Sequence, residues 1–440
     1  MPVRRTILRN LAIVPVDGPR PVIHGDITIE NGRLAEVGGS AGSNMWDDVL
    51  DCSGLVAIPG LVQAHLHLTQ TIFRNRADDL ELLDWLKLRI WPFEASHTEA
   101  TSRASARLGL AELVSGGTTA ILDMGTVKHH DMVFAAAEES GIRYVGGKTM
   151  MDVAAEGVPA GLRESTKESL DAAEGLAKRW HGGAGGRLRY SYSPRFVVTC
   201  TDELLRECAV RAKALGTPVH IHASANLGEV ALVRARTGKG NLEWLAELGV
   251  LRAPAAVAHC VHLDEGDEAR LRDAGASAVH CPSSNLKLAS GLAPIPRLLA
   301  AGVNVASGAD GAPCNNNLDG FLEMRLAALL QKPLHGPLAM PAATVLRMAT
   351  MGGAKALGLD AEIGSLEPGK RADIAILDLM MPHSAPWKDP TSAIAYAARA
   401  ENVKHVLVDG VFLKRDGKLT RVDGREVSIS ATAALESIAK

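Results

Sequence analysis

Residues 217 to 224 read TPVHIHAS, a short run of Val, Ile and His between small residues. Such a run, bounded by turn formers, reads as a buried strand. Side chains alternate along a strand, so His220 and His222 share one face. Seven more runs of this kind lie on either side: LVQAHLH (61 to 67), TTAILDMG (118 to 125), RYVGGKTM (143 to 150), RLRYSYSPRF (187 to 196), AAVAHCV (255 to 261), SAVHCP (277 to 282) and NVASGAD (304 to 310). Helical stretches separate them. Strands alternating with helices pair in parallel through right-handed crossovers, and eight of them predict a closed α/β barrel of the (β/α)8 TIM type. An open doubly wound sheet is the competing arrangement. The barrel is preferred because ligand-type residues end many separate runs, and only a barrel gathers those ends at one mouth.

The flanks follow a different rule. ILRNLAIVPVDG and GDITIENGRLAEVG near the start, and GSLEPGKRADIAILDL and VKHVLVDGVFLKRDGKL near the end, are alternating strands punctuated by NG, DG and PG turns. That is the pattern of antiparallel hairpins. The expected division is residues 58–361 for the barrel, with 1–57 and 362–440 as the two parts of one small β-sandwich domain.

Composition narrows the classes. Hydrophobic residues make up 47% and charged ones 22%, and 47 basic against 50 acidic side chains leave a net charge of -3. This balance gives no reason to expect nucleic acid or a membrane surface as partner. The opening segment has neither a continuous apolar run nor a small-residue cleavage site, so no secretory leader is expected. The six cysteines form no CxxC pairs, and reduced thiols in a cytoplasmic protein are the expectation.

Five residues carry the chemistry. His65 and His67 stand at i and i+2 at the end of the first strand, where two imidazoles can grip one ion from inside the mouth. His222, His259 and Asp310 end the fifth, sixth and eighth runs. A divalent ion held by imidazoles and a carboxylate, with one position open to water, is a catalytic pattern. Bound water then has a pKa near about 7, so the cluster points to metal-assisted hydrolysis. Imidazole and carboxylate serve zinc and iron alike; zinc is the expected ion.

Seven segments carry a resemblance: PGLVQAHLHLTQ, ADDLELLDWLKLRIWPFE, HASANLGEV, AHCVHLDE, HCPSSNLKLASG, SGADGAPCNNN and GSLEPGKRADIAILD. In order and nearly end to end, the chain resembles the amidohydrolase superfamily, in its branch of guanine deaminases, adenosylhomocysteine/methylthioadenosine deaminases and triazine hydrolases. The resemblance implies that His65, His67, His222 and Asp310 bind the metal, that His259 contacts the attacking water, and that Asp310 takes its proton. It also implies a homodimer or larger assembly.

The family pattern after the metal histidine is H-x-x-E, whose glutamate protonates a ring nitrogen of the substrate. Ala225 stands at that catalytic position. Losing such an acid removes roughly 10²- to 10⁴-fold in rate, so an impaired enzyme is expected, and the intact neighbouring motifs favour a substitution in an otherwise whole enzyme. Glu229 is expected on the exposed face of the following helix. For the pocket, the resemblance implies Gln70 on a purine edge, Arg195 and Phe196 as the Arg-Phe pair of guanine deaminases, and Glu94 as a ribose-binding glutamate of nucleoside deaminases. Trp91, with Trp85 and Phe73 near it, is a candidate to stack on a flat heterocycle. His220, one layer deeper than His222, is the reserve ligand. The function expected is deamination of a guanine-like heterocycle. The alternatives are an adenosylhomocysteine/methylthioadenosine-type deaminase, a triazine hydrolase, and a catalytically silent ligand-binding protein.

Overall fold

In the computed structural model, residues 5–18, 22–42, 46–252 and 254–438 are described; of the opening segment, residues 1–4 lie outside this set. All eight expected runs are parallel strands: β1 (Leu61–Leu66), β2 (Thr118–Met124), β3 (Arg143–Gly147), β4 (Leu188–Tyr190), β5 (Val219–Ala223), β6 (Ala255–His259), β7 (Ser277–His280) and β8 (Asn304–Ser307). They pair in two sets of four, β4-β3-β2-β1 and β5-β6-β7-β8. Two parallel bridges join the sets into a ring, Tyr192 with Val219 on one side and Leu66 with Asp310 on the other. At the second seam the Asp310 N–H donates to the His65 carbonyl at 3.1 Å. Gly308 permits this approach, because a Cβ there would lie 2.7 Å from the same carbonyl oxygen. Gln63, on the His65 face of β1, ties the seam from below: its Oε1 accepts from the Ala309 N–H at 3.0 Å and its Nε2 donates to the Leu318 carbonyl at 2.8 Å.

The chain ends form one nine-stranded sheet. Val56–Pro59 from the first flank pairs antiparallel with Ile374–Leu377 from the last. The NG and DG turns are where the sequence places them: Asn31 and Gly32, Asp409 and Gly410, and Asp416 and Gly417 all have positive φ. Paired positive φ is what a type I′ hairpin requires. The sheet curls around its own core of Leu8, Ile13, Ile27, Ile374 and Leu407. A buried ion pair fastens it to the barrel: Arg143 of β3 is bidentate on Asp373, at 2.9 and 3.0 Å, and also donates to Asp409 at 2.6 Å. The last helix, Gly424–Ile438, packs on the barrel helix Glu99–Ser115, with Ala431 against Ile72 and Phe73. Among the described residues, no helix is long and apolar enough to cross a membrane.

Candidate metal centre and pocket

The strand ends bring the five expected residues together. His67 Nε2 lies 3.2 Å from His222 Nε2 and 3.3 Å from Asp310 Oδ1, and His65 Nε2 lies 3.2 Å from the same oxygen. His259 Nε2 stands 3.9 Å from Asp310 Oδ2. Donors about 2.0–2.1 Å from a tetrahedral ion are about 3.3 Å from one another, so the spacing suits one cation. The tautomers agree. His67 Nδ1 donates to the Met124 carbonyl and His222 Nδ1 to the Arg195 carbonyl, both at 2.7 Å, which leaves each neutral ring with its Nε2 lone pair facing inward. The buried His65 Nε2 has no hydrogen-bond partner.

Electrostatics favour the same reading. Burial pushes the His65 pKa down to about 4, and burial with neighbouring imidazoles holds His222 well below its ordinary value. Burial opposes charge on Asp310 too, but the adjacent His65 and His67 keep its carboxyl well below the usual range. At His67 burial is outweighed by the hydrogen bond and charge of Asp310, and the pKa rises. Without an ion the cluster therefore attracts a proton, which an incoming ion displaces.

Residues that the sequence did not single out as braces hold these side chains. Ser284 Oγ donates to Asp310 Oδ2 at 2.6 Å, and Asn285 Oδ1 accepts from His259 Nδ1 at 2.9 Å. The buried Glu323 receives the Ser283 hydroxyl and Asn315 Nδ2. Asp123 of β2 accepts from the Leu68 N–H and the Tyr144 hydroxyl, both at 2.8 Å, fixing the turn after β1. His220 is no reserve ligand: its Nε2 meets His65 Nδ1 at 2.7 Å, behind the centre. The strand period puts it on the right face, but its depth makes it a support for His65.

A pocket of about 520 Å³, its open mouth included, rises from the centre. Its wall includes Gln70, Arg195, Phe196, Ala225 and Asn285, with Leu82, Trp85, Leu86 and Leu288 as an apolar side. Trp85 lines it, whereas Trp91 packs in the cluster behind with Ile90 and Val158. Arg195 does not face the pocket freely, because its guanidinium is bidentate on Glu94 at 2.7 and 3.3 Å. Gln70 Nε2 donates to Glu94 at 2.9 Å, and its Oε1 has no partner. Glu229 corrects the sequence expectation: it is 1% exposed and lines the pocket. Two leucines of its helix point the other way, Leu227 being 67% and Leu232 46% exposed, while Val233 is buried beside it.

Residues 56–413 match the sequence profile described as the amidohydrolase family. The chain belongs to that family. Two amidohydrolase relatives are similar over nearly their whole length. The 5-methylthioadenosine/S-adenosylhomocysteine deaminase of Moorella thermoacetica is 40% identical over 432 residues, covering 97% of this chain and 98% of that protein. The 5'-deoxyadenosine deaminase of Methanothermobacter thermautotrophicus is 42% identical over 412 residues, covering 93% and 94%. Among solved amidohydrolase folds, an adenosine deaminase from Xanthomonas campestris with bound zinc superposes with a TM-score of 0.92 at 31% identity, covering 99% of this chain and 98% of that one.

Proposed function

We propose that this amidohydrolase deaminates adenine nucleosides whose 5' position is modified, such as 5'-deoxyadenosine or 5'-methylthioadenosine, and releases ammonia. The full-length similarity to relatives bearing those names carries the reading. The pocket supports it against guanine. A guanine-type site needs a donor free for the ring carbonyl, and Arg195 is committed to Glu94. The apolar side formed by Leu82, Trp85, Leu86 and Leu288 suits an uncharged 5' substituent.

His65, His67, His222 and Asp310 would hold a divalent ion, with zinc the first choice. When bound, such an ion supplies a water acidic enough to ionise near neutral pH. The chain's residues do the rest. Asp310, anchored by Ser284, accepts the proton of the attacking water, and His259, held by Asn285, faces the ring carbon under attack. Phe196 and Trp85 wall the ring in. Water adds across the ring carbon and its nitrogen, the carbon–amine bond breaks, and ammonia leaves. Ala225 puts no acid at the position from which the family's glutamate protonates the ring, so turnover below that of an Ala225→Glu variant is expected.

The test is ammonia release by the chain and by Ala225→Glu across 5'-deoxyadenosine, 5'-methylthioadenosine, S-adenosylhomocysteine, adenosine, guanine and 8-oxoguanine. Turnover of the adenine nucleosides by the variant is the expected result. Turnover confined to guanine or 8-oxoguanine overturns the reading.

A further inference from the structure

Position 225 lacks its carboxyl, yet a second one reaches it. Glu229 is the third residue of the helix Leu227–Thr237 and folds back past the N-cap, Asn226. Its Oε2 accepts from the Ala225 N–H at 2.7 Å, and its Oε1 accepts from Asn241 Nδ2 at 2.5 Å. A carboxyl oxygen therefore sits within hydrogen-bond reach of the backbone of the residue that the family pattern makes the acid. Glu229 shares the pocket wall with Ala225, His222 and His259. The other carboxyls nearby are committed, Asp310 to the histidine cluster and Glu94 to Arg195.

We propose that Glu229 donates the proton to the substrate's ring nitrogen in this chain, in place of the glutamate missing from position 225; the inference rests on the deaminase reading above. As water adds to the ring carbon, the Glu229 O–H bond breaks and an N–H bond forms on the adjacent ring nitrogen. Asp310 carries the first proton of the water to the amine, which leaves as ammonia. The hydroxyl proton of the collapsing adduct restores Glu229 through solvent, so one water is consumed and no net charge accumulates. The ionised carboxyl left between the two protonations is held by the Ala225 N–H and the Asn241 amide.

The environment keeps the acid loaded. Burial pushes the Glu229 carboxyl up to about 7, against the backbone N–H groups of Ala225, Asn226 and Ser224 and the amide of Asn241. The groups facing it are Asn241 from the helix Asn241–Glu247 and the Cys260 thiol after β6, whose own pKa Glu229 helps to raise; His222 and His259 line the same pocket. A donor must be protonated, so its contribution is present below about 7 and is lost as pH rises through that value.

The test compares four zinc-loaded forms, the Ala225 chain, Glu229→Gln, Ala225→Glu and the double variant, by kcat against pH on 5'-deoxyadenosine, with bound zinc and thermal midpoint measured for each. Glu229→Gln is expected to lower kcat of the Ala225 chain about 100-fold at unchanged zinc content and to remove the fall in rate above about pH 7. In the Ala225→Glu background the same substitution is expected to cost at least about tenfold less, the non-additivity of two groups sharing one task. An equal loss in both backgrounds makes Glu229 a helix cap and overturns the proposal. So does an Ala225 chain without turnover when Ala225→Glu is active. If no form deaminates any nucleoside, the deaminase reading itself falls, and this inference falls with it.

Discussion

His220 and Glu229 were both visible in the sequence, and both have roles that sequence alone misplaces. Strand alternation fixes which way His220 points but carries no measure of depth, and depth pairs its Nε2 with His65 Nδ1 behind the centre. For Glu229 the helix pattern misleads, because Leu227 and Leu232 lie outward while a carboxylate lies inward. The usable sign was Val233, four residues on and buried on the same face. That the HxH pair and the strand-end residues His222, His259 and Asp310 would meet was legible because each position depends only on local period and chain order. Supports of metal-binding imidazoles typically contribute about 10- to 100-fold in affinity. His220→Phe is therefore expected to weaken zinc binding by about that factor while leaving the fold intact, as read by competition with a chromogenic chelator. Unchanged affinity would show that His65 needs no partner behind it.

Elements were legible wherever a turn or a period is local. The eight runs became eight strands, and the NG and DG pairs became tight turns. That the two chain ends share one domain was legible from their common hairpin pattern, but which strands pair was not, since the pairing of Val56–Pro59 with Ile374–Leu377 spans some three hundred residues and no neighbour announces its register. Strand exits are also strained in a way that composition does not predict: Ser224, His259, Cys260 and Asp310 have φ between 49° and 77°. Such conformations cost about 1–3 kcal/mol each and cluster at working sites, where here they swing side chains from the ring into the mouth. The joint between β3 and the terminal sheet can be tested directly. Asp373→Ala leaves the buried Arg143 guanidinium with Asp409 as its remaining close carboxylate. Breaking a buried pair in this way costs about 3–5 kcal/mol, and denaturant unfolding is expected to register a loss of that order. A loss under about 1 kcal/mol would mean that Asp409 alone neutralises Arg143.

Across the whole molecule, the histidine–aspartate cluster and the barrel seam share residues. Asp310 both faces the three imidazoles and, through its N–H, closes β8 onto β1 at His65. A ligand that binds only the folded state at about 100 times its Kd adds about 2.7 kcal/mol. Stripping zinc is therefore expected to speed hydrogen exchange of the Asp310 amide and the rest of that seam at least about tenfold, while the terminal sheet keeps its protection. Uniform acceleration everywhere would refute a local linkage. The ring is a hoop whose clasp is also its setting. Substitutions that retune the chemistry at His65 or Asp310 therefore strain the hoop itself. The cover from Leu82 to Ala95 and the helix behind Ala225 contribute no strand to it, and new substrate preferences can be tried there without loosening the frame.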